Sequence, residues 1–297
     1  MAKKMSFKKY ENITAYMFLA PLLLLMSIFV FYGVYFVIKI SFYKWDGVMI
    51  EAMKFRGLRN YQLLFTDKTF WKSVTNVSIF MILTISVQMI LGLIMAVLLK
   101  PKLPGHPFFK ALFYIPAALS TTVIARIFMQ IYEPNFGMLN QLFRFLHMDF
   151  LVRNWVGDPN VALYAIIIAN IFQWTGAQMV FYIAGLTSIS EDVLEAAQID
   201  GAGFWTTFFK IIFPMLIPTH TTVIILGMIG AIKTFDIVWL LTQGGPGNAT
   251  QFLATYLYKY SIVEFKAGYG ATVAVVMIVM SVGLSMLQNK IYDKTKL

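Results

Sequence analysis

The sequence predicts an all-α, polytopic membrane protein with six transmembrane helices and a cytoplasmic helix-bend-helix connection. Three observations carry that expectation. The mean hydropathy is +0.71, with 59% hydrophobic and 13% charged residues, too little polar side chain to clothe a water-facing domain. Six runs with few or no charges, at 13–38, 73–99, 111–131, 161–189, 217–241 and 268–287, each approach or exceed the roughly 20 residues that cross a hydrocarbon core. The runs are continuously apolar rather than alternating, which selects helices over a barrel. Residues 1–297 are therefore read as one transmembrane domain.

The first run follows Lys3, Lys4, Lys8 and Lys9, as a signal peptide would. It is too long for a cleaved leader and lacks a small-residue cleavage site, so it is read as a permanent span. Six spans put both termini on one side. Lys290, Lys294 and Lys296, with Lys100, Lys102 and Lys110 of the second connection, agree with the amino-terminal lysines in making that side the cytoplasm. Lys44, Lys54, Arg56, Arg59, Lys68 and Lys72 of the first connection then lie outside, against the trend; the denser packing of cations in the short inner segments decides the orientation. The formal charge of +10 is spread over segments flanking apolar runs, which points to lipid headgroups rather than nucleic acid as counter-charge. Zero Cys excludes disulfides and thiolate chemistry, and His106, His147 and His220 are too scattered to form a ligand cluster.

Between the fourth and fifth runs the string LEAAQIDGAGFWTTFFKIIFPMLIP, Leu194 to Pro218, interrupts the oil. Ser190 is an N-cap candidate, and Glu191 and Asp192 suit the positive end of a helix starting there. Gly201 and Gly203 are expected to turn the chain with positive φ, after which Phe204, Phe208, Ile211 and Ile212 recur at helical spacing until Pro214. Residues 190–214 thus form a helix, a bend and a second helix, with a small-residue face of Ala196, Ala197, Gly201 and Ala202 rimmed by Glu195 and Asp200. An amphipathic connection lying at the lipid interface would show the same periodicity.

The residue string separates those readings. Glu195, Ala196 and Ala197, followed by Gly201, Ile211 and Pro214, resemble the EAA loop of the permease subunits of binding-protein-dependent ABC importers, with Phe213 where the pattern has Leu. TFDIVWLLTQGGPGNAT, Thr234 to Thr250, is similar to the carbohydrate branch, the maltose and multiple-sugar group. FRGLRNYQLLF, FYIPAALS and WTGAQMVFYIAGLTSIS add weaker likenesses. Without a large outer insertion, the chain resembles the shorter sugar and glycerol-phosphate permeases most. The resemblance implies a non-catalytic permease subunit of a prokaryotic cytoplasmic membrane, paired with a second permease as a heterodimer. It implies two partner ATPase subunits that bind ATP and Mg, because no G-x-x-x-x-G-K-[ST] string occurs here. It also implies an extracellular or periplasmic sugar-binding protein. Glu195, Ala196, Ala197, Asp200 and Gly201 become the ATPase-coupling residues, Glu195 for a polar contact and Gly201 where bulk would push the helix out.

Charges at membrane depth are functional candidates by default. Lys233 and Asp236 stand three residues apart and can share one helical face, either as a local ion pair or as part of a sugar site with Phe235. The resemblance implies that the stretch upstream of GGP contributes to the substrate path. Asn170, Gln173, Trp174, Gln178 and Tyr182 on the fourth run add hydrogen-bonding and stacking groups, though such residues also join helices. Arg126 is expected to reach headgroups or Glu133, and Gly244 to Gly247 to form a tight outer turn. A secondary transporter would need repeats that the chain lacks, and an intramembrane enzyme a nucleophile, metal cluster or paired acids at depth.

Overall fold

The computed structural model describes residues 15–49, 53–99 and 105–295. Ile13, Lys3, Lys4, Lys8, Lys9, Lys100, Lys102 and Lys296, which entered the reading of the first run and of orientation, lie outside the described residues.

Helix α1 spans Ala15–Ser41 and widens into a π-turn at Ser27–Phe31. A short antiparallel ribbon follows, β1 (Tyr43–Lys44) with β2 (Lys54–Phe55), then α2 (Arg59–Thr66) and α3 (Lys68–Leu98). The next elements are α4 (His106–Ala118), α5 (Thr121–Ile131), α6 (Met138–Phe145) and α7 (Ala162–Thr187). Beyond α7 come α8 (Glu191–Ile199), α9 (Phe204–Met215), α10 (Ile217–Lys233), α11 (Asp236–Thr242), α12 (Leu253–Tyr258) and α13 (Ala267–Thr295). The class is all-α as expected, and the ribbon is the departure from it among the described residues.

Four helices, α1, α3, α7 and α13, are long and apolar enough to cross a membrane by themselves. Two bent pairs, α4 with α5 at 90° and α9 with α10 at 60°, bring the number to six if each pair is one span. The run at 111–131 is therefore not one straight rod. Leu119 and Ser120 are extended, and the Ser120 hydroxyl accepts a hydrogen bond from the Val123 N–H, starting a new helix where the apolar run alone shows no break. The run at 217–241 is likewise divided, at Thr234 and Phe235.

The chain forms two compact units, the described residues up to Thr66 with Lys259–Val276, and Asp67–Tyr258 with the residues from Met277 onward. In the first, Asn60 is buried and donates to the carbonyls of Ser41 and Tyr43 at 2.9 Å each, while Thr272 donates to Ser41 at 3.1 Å. These bonds satisfy carbonyls left open where α1 ends. In the second unit, α3 packs along α7 at small residues. A Cβ on Gly92 would stand 2.9 Å from that of Gln178, and one on Gly176 would strike the carbonyl oxygen of Phe113 in α4. A core of Leu93, Ala96, Met179, Tyr182, Ile189, Leu216 and Val223 joins α3 and α7 to the start of α10.

Candidate functional site

Two places in the second unit gather the residues singled out by sequence. The first is the knob after α7. Ser190 caps α8, its hydroxyl accepting from the Asp192 N–H at 3.3 Å and donating to the Asp192 carboxylate at 3.1 Å. At the other end, Gly201 N–H donates to Gln198 O at 3.0 Å and Ala202 N–H to Ala197 O at 2.9 Å. That pair of bonds is a Schellman cap with Gly201, at φ +76°, in the left-handed position. Gly203 does not share the expected positive φ; it is extended at −71°, because one left-handed residue already completes the turn. Glu195, Ala196, Asp200 and Gly201 are exposed. Ala197 is not available to a partner: it is 5% exposed, turned into the chain's own interior. Around the exposed acids, Ile199 is 86% and Trp205 69% exposed, a patch of apolar surface that the sequence reading passed over. Among the described residues no atom lies within 4 Å of where a Cβ on Gly201 would stand, so within them only the left-handed backbone limits its size.

The second place is an open cavity of about 390 Å³ lined by α3, α7, α10 and the chain that follows. Asn170, Gln173, Trp174, Gln178, Lys233, Phe235 and Asp236 all line it, brought together from two separate stretches. Tyr182 does not. It is fully buried in the core, next to the lining residue Phe181 but turned away, and shares a 2.9 Å hydrogen bond with His220 Nδ1. Gln88 and Thr84 of α3, with Thr121 and Thr234, add to the polar lining and were missed, since an isolated polar residue in an apolar run carries no local signal. Gln88 donates to Asn170, to both its carbonyl and its side-chain oxygen, at 3.2 Å. Gln173 donates to Thr121 Oγ1 at 3.2 Å, and its own Oε1 is buried without a partner, as is that of Gln178. Buried amide oxygens in that state accept hydrogen bonds readily, because leaving them unmet costs about 1–3 kcal/mol.

Lys233 and Asp236 do not share a continuous helical face. Helix α10 ends at Lys233 and α11 begins at Asp236, with Thr234 and Phe235 non-helical between them, and both charged groups are exposed. The Thr234 hydroxyl back-bonds to Gly230 O at 2.9 Å, and Phe235 stacks on Trp239 with centroids 5.6 Å apart and meets Tyr258 at 5.2 Å. Ring packing thus fixes the break. After it, Gln243, Gly244, Gly247 and Asn248 all have positive φ and the Gly245–Pro246 peptide is cis, so a tight turn stands where one was expected. Asn76 of α3 pins that turn by donating to Ala249 O at 2.9 Å and Gln251 O at 3.0 Å. Arg126 is exposed, and the Glu133 carboxylate accepts instead from the N–H groups of Asn135 and Phe136.

Comparison with known proteins gives this geometry a family. The family described as "binding-protein-dependent transport system inner membrane component" matches residues 88–296. A probable ABC transporter permease protein of Pyrococcus horikoshii is 38% identical over 265 residues, 89% of this chain and 90% of its own. The lactose transport system permease protein of Rhizobium radiobacter is 32% identical over 95% of each chain. Among solved structures, a chain of a bacterial ABC transporter involved in import of the acidic polysaccharide alginate superposes with a TM-score of 0.82 at 17% identity, covering 98% of this chain and 99% of that one. The chain belongs to the family of binding-protein-dependent transport system inner membrane components, the permease proteins of ABC transporters.

Proposed function

We propose that this permease is one half of a heterodimeric pore, a single domain of six spans, that imports a sugar or oligosaccharide by alternating access. In this reading an extracellular or periplasmic binding protein delivers the sugar, and two separate ATPase subunits bind ATP and Mg and supply the power. Both termini face the cytoplasm, which places the knob with Glu195, Ala196, Asp200 and Gly201 on the ATPase side. The observation that carries the sugar assignment is the cavity lining: two orphaned amide oxygens, Gln173 and Gln178, beside Trp174 and Phe235. Acceptor oxygens suit hydroxyl hydrogens, and flat rings suit the apolar face of a pyranose. The same lining favours a neutral sugar over a glycerol phosphate, because the single cation, Lys233, is matched by Asp236. The lactose permease among the similar proteins supports the same solute class.

The test has two parts. Affinity purification of the tagged chain should bring down a second permease and ATPase subunits, and the solute-binding protein that stimulates the complex should bind a neutral saccharide. Recovery of this chain as a lone, self-sufficient carrier, or stimulation only by a phosphorylated solute, overturns the reading.

A further inference from the structure

The β1/β2 ribbon lies where two membrane-crossing helices end. Ser41 closes α1, and its carbonyl is tied to Asn60 and Thr272; Gly268, in the first turn of α13, donates to Trp45 O at 3.0 Å. The Trp45 ring stands 6.0 Å from Phe36 of α1. These contacts fasten the ribbon to the end of α1 and the start of α13, where the two apolar helices stop. Its register pairs Tyr43 with Phe55 and Lys44 with Lys54. Strand alternation then sorts the side chains. One face carries the Tyr43 and Phe55 rings, 5.3 Å apart and edge to face, a composition suited to the membrane interface. The other carries Lys44 directly opposite Lys54, with Arg56 two residues further along.

That second face is under-compensated. Lys44, Lys54, Arg56 and neighbouring Arg59 are exposed, and none has an ion pair among the described residues. Among the described residues, the Asp46 carboxylate accepts from the Val48 N–H at 3.0 Å and Glu264 pairs with Lys266 at 2.8 Å, and neither is paired with these cations. Like charges directly opposite each other destabilise a ribbon, and two residues per strand give this one little to spare. The repulsion is relieved if an anion sits between the ammonium groups. At this height in a membrane protein the abundant anion is the headgroup phosphate.

We propose that the Lys44, Lys54 and Arg56 face is a binding site for the phosphate of a membrane phospholipid, with anionic headgroups preferred. The two ammonium groups donate to one phosphodiester and the Arg56 fork adds a planar pair of donors. This accounts for cations in a connection where orientation by charge expects few, and it holds whichever leaflet the ribbon faces. The site is separate from the cavity and from the knob.

The test uses the complete transporter in nanodiscs of mixed phosphatidylglycerol and phosphatidylcholine, with tightly held lipid counted by native mass spectrometry after gentle detergent exchange. Retained phosphatidylglycerol should fall about fivefold for each lysine neutralised, in Lys44→Gln and Lys54→Gln, while phosphatidylcholine changes little. Lys44→Glu serves as the folding control: it converts a repulsive cross-strand pair into an attractive one, so the ribbon persists and the lipid should still be lost. Lys68→Gln and Lys72→Gln should leave retention unchanged. Equal retention of phosphatidylglycerol by the double glutamine variant overturns the site. Displacement of the lipid by inorganic phosphate assigns the face to a free anion instead. A variant that loses affinity for the solute-binding protein but keeps its lipid makes the face a protein-docking surface, and that too refutes the proposal.

Discussion

The knob at 190–203 and the cavity beside Thr234 and Phe235 are held by different kinds of contact. The cap bonds that shape the two ends of the knob's helix are local: Ser190 to Asp192, Gly201 to Gln198, Ala202 to Ala197. The cavity depends on partners far apart in sequence, with Gln88 reaching Asn170 and Gln173 reaching Thr121. A locally closed element can keep its shape when its surroundings move, whereas a wall built from several helices changes shape whenever those helices shift. The first property suits a part that is pushed, and the second a compartment that must open on alternate sides.

The sharpest way to break this contrast is at Gly176, where α7 touches the α4 backbone. Gly176→Leu forces a side chain into the Phe113 carbonyl and should destabilise the assembled permease by about 3 kcal/mol, read as lost thermal stability in detergent. The knob should keep its local protection in hydrogen exchange; if it melts together with the cavity, the two are not independently held. A smaller effect is expected at the break. The double variant Lys233→Ala, Asp236→Ala should lower sugar transport about tenfold, the loss of one charge-assisted contact, with the unfolding midpoint nearly unchanged because both groups are exposed and are not paired to each other. Unchanged transport removes the pair from the path.

The smallest effect is at the knob and discriminates between its two glycines. Gly201→Ala puts a Cβ on a left-handed residue and should cost about 1 kcal/mol of local stability, seen as faster exchange of the Ala202 amide. Gly203→Ala, at φ −71° with open space around it, should cost almost nothing. Equal costs at the two sites contradict the Schellman cap. Gly201→Asp is the complementary probe, since Asp tolerates the left-handed region better and so tests bulk at the docking face more than backbone strain. Loss of solute-stimulated ATP hydrolysis is the outcome expected there.

The same local-versus-distant distinction explains what could be read from sequence. The α8 start, the bend at Gly201 and the helix after it were legible because caps and turns are written within a few residues of where they act. The apolar runs of α1, α3, α7 and α13 were legible from length alone. The 90° break at Leu119 and Ser120 was not, although Ser120 and Pro116 mark it in retrospect, because the hydropathy of 111–131 is uninterrupted. The break at Thr234 and Phe235 was hidden for another reason: it is fixed by stacking of Phe235 on Trp239 and Tyr258, and the latter lies 23 residues downstream. Tyr182 was drawn into the site because its spacing from Gln178 suits one helical face, whereas its hydroxyl turns to His220 and the core.

The glycine seam along α7 has a further consequence. Gly92 of α3 lies so close to the α7 backbone, and Gly176 of α7 so close to the α4 backbone, that neither α3 nor α4 can slide past α7 without a collision, so the three helices tilt as one block. Only Ser188, Ile189 and Ser190 separate α7 from α8. Over the 26 residues of α7, roughly 39 Å at 1.5 Å per residue, a rotation of about 5° at the α8 end swings the far end by about 3 Å. Angular stiffness, conferred by missing side chains, would turn a slight nudge at α8 into a displacement the width of a water molecule at the opposite end of the span.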